Sequence, residues 1–103
     1  MSEEQSIWEL RQDEAVIGRL AVYDEDMGWY SARFEAAPAF DPLRALFTEG
    51  VQVRIGEDAE RWQDWHARVR QLGLQLVRLA DSTSTDDFLL YIDGWDADFR
   101  PKF

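Results

Sequence analysis

Apolar residues alternate with polar ones over the first third of the chain and then switch to a helical spacing, so the period of the pattern divides the sequence. Residues 6–36 read as three strands separated by acidic turns, 41–73 as helical, and 74–103 as further strands. In the first segment Trp8, Leu10, Val16, Gly18, Leu20, Val22, Tyr30, Ala32, Phe34 and Ala36 are all even-numbered. Strands that share one face through these positions must pair residues whose numbers sum to an even value, which calls for loops of odd length. A three-residue loop Gln12–Glu14 then pairs Leu10 with Val16 and Trp8 with Gly18, and is preferred to a two-residue turn at Asp13-Glu14, which would set Trp8 opposite Arg19. A five-residue loop Asp24–Gly28 pairs Val22 with Tyr30 and Gly18 with Phe34, leaving Gly18 as the gap between two large rings. The opposite face (Ile7, Glu9, Arg11, Ile17, Arg19, Tyr23, Trp29, Ser31, Arg33, Glu35) mixes charge with isolated apolar groups, as a solvated face does. In this register Tyr23 sits directly across from Trp29.

The helical region opens at Asp41-Pro42, an N-cap followed by proline at the first helical position, with Leu43, Leu46 and Phe47 on one face and Gly50 as the cap of its end. Val51–Ile55 fits either a short strand, by its β-branched alternation, or continued helix, by its position. A second helix is expected from Asp58 as N-cap, through Trp62, Trp65, His66, Val69 and Leu72 at i, i+3, i+4, i+7 and i+10, to Gly73 as C-cap. Strands follow at Leu74–Leu79 and Phe88–Ile92, with the polar stretch Asp81–Asp87 as a loop between them. Asp93-Gly94 turns the chain into a last edge strand, Ala97–Arg100, ended by Pro101. The fold class is therefore α+β: a mainly antiparallel sheet of five or six strands with two helices packed on one face, in the order β-β-β-α-α-β-β-β.

Length then bounds the architecture, since 103 residues make one domain, with residues 1–5 as a flexible acidic N-terminus. Fourteen aromatics (five Trp, three Tyr, six Phe) argue for a packed core despite 31% charged residues. Without Cys there is no disulfide framework, thiolate metal site or Cys nucleophile, and a single His excludes any site needing two imidazoles from one chain. The acidic start does not resemble a secretory signal, and the longest apolar run, Phe88–Ile92, is far short of a membrane span, so a cytoplasmic protein is expected. Arginine outnumbers lysine ten to one, as in proteins of GC-rich bacterial genomes.

The net charge of −10 is unevenly spread. Residues 1–50 hold eleven acids against four Arg (−7), residues 51–80 four acids against five Arg (+1), and residues 81–103 six acids against two bases (−4). Such a surface repels nucleic-acid phosphate and anionic lipid and favours basic partners.

Few residues invite chemistry. His66 is the one ordinary proton-transfer group near neutral pH, but it lies on the apolar stripe of its helix and Asp64, two residues away, is on another side. Asp24–Asp26 and Asp93, Asp96 and Asp98 offer oxygens without the spacing of a calcium loop. There is no glycine-rich phosphate loop, no nucleophile motif and no cofactor signature, so a non-catalytic, cofactor-free domain is expected. The alternative is a small enzyme or ligand-binding domain that uses His66 and carboxylates in a pocket. Tyr23, Trp29 and Trp95, next to Asp24, Glu25 and Asp26, form the candidate contact surface, because exposed aromatics anchor protein interfaces. The expected partner is a basic protein that this domain masks, or a second copy of the chain meeting it through the Tyr23–Trp29 face.

Overall fold

The computed structural model describes residues 6–102; the N-terminal segment 1–5 lies outside them. The elements run β1 (Ile7–Gln12), β2 (Ala15–Asp26), β3 (Trp29–Ala36), a 3-10 turn (Pro38–Leu43), α1 (Arg44–Gly56), α2 (Ala59–Gln71), β4 (Leu74–Arg78), β5 (Thr83–Thr85), β6 (Asp87–Asp93) and β7 (Asp96–Lys102). The fold is α+β, and its sheet has seven antiparallel strands rather than five or six, in the order β5-β4-β1-β2-β3-β7-β6. The additional strand, β5, comes from the Ser/Thr loop, whose Thr83–Thr85 pairs with β4. The last strand is not an edge: β7 lies between β3 and β6, pairing Tyr30 with Phe99 and Leu90 with the same Phe99.

The sheet curls into a half-barrel. In a flat sheet β1 and β7, with two strands between them, would lie about 14 Å apart at about 4.8 Å per strand. Yet the rings of Trp8 and Phe99 meet edge to face with centroids 5.3 Å apart, and Tyr30 stacks on Phe99 at 5.2 Å. The two ends of the sheet also approach, because β5 and β6 are joined by the single residue Asp86, and Thr85 Oγ1 donates to the Lys102 carbonyl of β7.

Both hairpins keep the parity of the even-numbered face, but not through odd loops. Gln12 pairs with Ala15 across a two-residue turn whose Asp13 and Glu14 both take positive φ (51° and 69°), as a type I′ turn requires. A β-bulge at Ile17 then shifts the register, so that Leu10 pairs with Gly18 and Trp8 with Leu20. The second hairpin repeats the device: Met27 and Gly28 turn the chain, and a bulge at Tyr23 lets Val22 face Ala32. The twist of a two-residue turn matches that of the strands, and one extra residue per hairpin restores the parity the hydrophobic face demands. Two placements change as a result. Ile17 is buried and Val16 exposed, the reverse of the alternation, and Tyr23 has no partner opposite it instead of facing Trp29. Gly18 does make room for Phe34, since a Cβ there would lie 2.4 Å from that ring, although its strand partner is Ala36.

Glu9, expected on the solvated face, is only 7% exposed. Its carboxylate is covered by Arg11, 3.0 Å away through Nε, and flanked by Arg19 at 3.8 Å. A buried carboxylate needs such partners, because unpaired burial of the charge is costly.

The helical segment departs from expectation at its start and its middle. Asp41 and Pro42 belong to the 3-10 turn rather than capping an α-helix, and α1 starts at Arg44 with Leu43 at its N-cap. Gly50 is not an end but the middle of α1, and Val51–Ile55 continues the helix to Glu57, which takes φ 55° as C-cap. The reason for glycine there is Trp65 of α2, whose ring would lie 2.2 Å from a Cβ at position 50. The second helix matches its pattern: the Asp58 carboxylate accepts from the backbone N–H of Glu60 and Arg61, and Trp65 and Val69 are buried. Both helices join one core with the sheet, α1 packing on α2 and on β6.

Gly50→Ala is expected to cost about 1–3 kcal/mol from overpacking against Trp65, which outweighs the gain of up to about 1 kcal/mol in helix propensity. Gly56→Ala, where nothing lies within 4 Å of the added methyl, is expected to leave stability unchanged or raised. Urea unfolding of the two variants measures the difference, and equal midpoints would show that Trp65 moves aside freely.

Candidate functional site

The outer face of the sheet carries the candidate site, and two backbone features build it. The bulge in β2 turns Tyr23 outward, where its hydroxyl donates to Asp96 Oδ1 at 2.8 Å. The two-residue turn Gly94-Trp95 joins β6 to β7, and the Trp95 carbonyl accepts from the Phe34 N–H of β3 at 2.7 Å. That bond fixes the backbone of Trp95 to the sheet while its side chain stays 74% exposed. Tyr23, itself 58% exposed, stands beside it.

Between these aromatics the surface is hollow. Two adjoining depressions of about 510 and 480 Å³ share Ala21, Arg33 and Trp95. Ala21 is the reason for the hollow: its register partners are Ile7 on β1 and Arg33 on β3, larger side chains on either side of a methyl group. Arg19 and Glu35 extend one end, while Tyr23 and Asp96 close the other. The Asp96 carboxylate raises the Tyr23 pKa, first through the hydrogen bond to the neutral hydroxyl.

The six residues singled out by sequence do not form one surface. Tyr23 and Trp95 share the hollow, with Asp24, Glu25 and Asp26 exposed beyond it on the end of β2. Trp29 is elsewhere: half-buried, it packs against the core and stacks on Tyr91 with centroids 6.2 Å apart. The Arg54 guanidinium covers both rings, 4.4 Å from Tyr91 and 5.5 Å from Trp29, and donates to Asp98 at 3.1 Å. Asp98 also accepts from Ser31, so Trp29 is held in a clasp between helix and sheet. Ala21 and Arg33 were missed as site residues. The signal for them is the alternation of β2 and β3, which puts one small side chain among large ones on the outer face.

His66 is committed to packing. Its ring stacks on Trp62 at 4.8 Å, and Nε2 lies 3.5 Å from the Phe88 carbonyl. Trp62 in turn donates from Nε1 to the Tyr91 hydroxyl at 2.6 Å. Among the described residues no three His, Asp or Glu side chains are placed to hold a metal ion, and no helix is long and apolar enough to cross a membrane.

Asp96→Ala is expected to return the Tyr23 ionisation toward the ordinary value, while Tyr30, whose pKa is raised first by burial, stays high. Ring-resolved NMR titration separates the two tyrosines. Because the folded-state pKa of Tyr23 is raised, the bond to Asp96 contributes below the unfolded tyrosine value of about 10 and is lost as pH rises through the raised one.

Comparison of the chain with protein-family models, with curated proteins and with solved structures finds no match.

Proposed function

We propose that this protein is a non-catalytic, cytoplasmic interaction domain that binds a basic protein partner through the hollow beneath Trp95. The observation that carries the reading is Trp95 itself, a large aromatic exposed over a concave surface on a backbone already held in place. An anchor whose backbone is fixed beforehand loses little conformational freedom on binding, and Trp and Tyr dominate interface energetics for that reason and for their area. The net charge of −10 supports a partner of opposite sign, and Asp24, Glu25 and Asp26 are exposed on the end of β2, beyond the hollow. In this reading the acids steer the encounter and the aromatics hold the complex. The enzyme alternative has less behind it, because His66 is stacked on Trp62 and turned to a backbone carbonyl rather than to a carboxylate.

Calorimetric titration with a panel of synthetic Lys- and Arg-rich peptides tests the proposal. Binding is expected to weaken as the Debye length falls from about 10 Å at 0.1 M salt to about 3 Å at 1 M. Trp95→Ala is expected to lose at least about 2 kcal/mol of binding with the circular dichroism spectrum unchanged. The triple variant Asp24→Asn, Glu25→Gln, Asp26→Asn should slow association more than it speeds dissociation. Peptide binding that ignores both Trp95→Ala and salt would overturn the reading.

A further inference from the structure

The hollow beneath Trp95 differs in charge from the molecule around it. Its charged side chains are two arginines, Arg19 and Arg33, and two acids, Glu35 and Asp96, so it is neutral in a chain of net charge −10. Two copies of the chain repel one another on most approaches, and this neutral face is where the repulsion is locally relieved. The face is also complementary to itself. It holds a projecting side chain, Trp95, next to a recess, the floor at Ala21, and it holds both signs of charge. A two-fold interface needs that combination, since each patch must supply both halves of every contact.

We infer that a second copy of this chain covers the outer sheet face, with Trp95 of each protomer seated in the recess over Ala21 of the other. Arg33 is exposed and lines both depressions, with Asp96 of its own chain opposite it in the register, so the face needs no outside charge to balance it. The inference goes beyond the basic-partner reading, and the two occupants compete for one tryptophan. They also respond to salt in opposite ways. Screening removes the repulsion between two acidic chains, so self-association tightens between about 0.1 M and 1 M salt, as the Debye length shrinks from about 10 to about 3 Å. Attraction to a basic partner weakens over the same range.

Sedimentation equilibrium of the full chain, in a concentration series at both salt levels, is the test. The expected result is a reversible monomer–dimer equilibrium that is tighter at high salt. Trp95→Ala and Ala21→Trp should each weaken it at least about tenfold, the first by removing the knob and the second by filling the recess. Met27→Ala, at a turn residue that is 87% exposed outside the hollow, should leave it unchanged. Ala21→Trp sits in a strand and could disturb folding. Trp95→Ala then decides alone, because its side chain is exposed and the bond to Phe34 uses only its backbone. A chain that stays monomeric at both salt levels, a dimer that weakens with salt, or a Trp95→Ala variant that associates like the parent each overturns the inference. If basic peptides still bind through Trp95 in that case, the interaction reading stands and only the dimer falls.

Discussion

Trp65 lies with its ring against Gly50 and Phe47 of α1 and stacks on Tyr91 of β6 at 5.5 Å, while its Nε1 donates to the Leu46 carbonyl at 2.8 Å. Through this indole the helices and the sheet share one core. The ring contacts run on in both directions: Phe47 meets Phe40, which meets Phe34 on β3, and Tyr91 meets Trp29, also on β3. A path that leaves one strand, crosses both helices and returns to the same strand fixes the helical layer at two places. Deleting a buried ring of this size typically costs about 3–5 kcal/mol, a large part of the roughly 5–15 kcal/mol that stabilises a domain. The glycine in the middle of α1 is a concession to this contact, since helix propensity alone would favour almost any other residue there.

Features decided within a few residues were the legible ones. The second helix could be read from Asp58 to Gly73 because its cap, its stripe and its stop are all local. The even-numbered face of the first three strands was equally legible, because a period of two needs no knowledge of partners. How the parity would be kept was not. A bulge and an odd loop satisfy the same arithmetic, and only the paired strands show that Ile17 and Tyr23 are the extra residues. Gly50 was misread for a similar reason. A glycine after an apolar turn looks like a cap until a tryptophan from the next helix is laid across it.

The candidate site divides along the same line. Tyr23 and Trp95 were visible as aromatics beside acidic turns, and both line the hollow. Trp29 shared that description but not that fate, because Tyr91 and Arg54, which enclose it, come from distant parts of the chain. Ala21 and Arg33 carry no sequence signal beyond the alternation of their strands. They matter only because the register sets them opposite each other on the outer face, under a turn tied down by a hydrogen bond to Phe34.

The curl of the sheet also bears on how the protein avoids aggregation. An open seven-stranded sheet would offer two long rows of unpaired backbone groups on which another chain could add a strand. Here one terminal strand, β5, is three residues long, and the other, β6, packs against α1 and turns the Phe88 carbonyl toward His66 of α2. Only Asp86 separates these two strands along the chain, so the two rims meet where β5 ends and β6 begins. His66 of α2 thus stands over one backbone acceptor of the β6 margin, at Phe88, which makes that stretch of the edge a poorer template for a strand from another molecule.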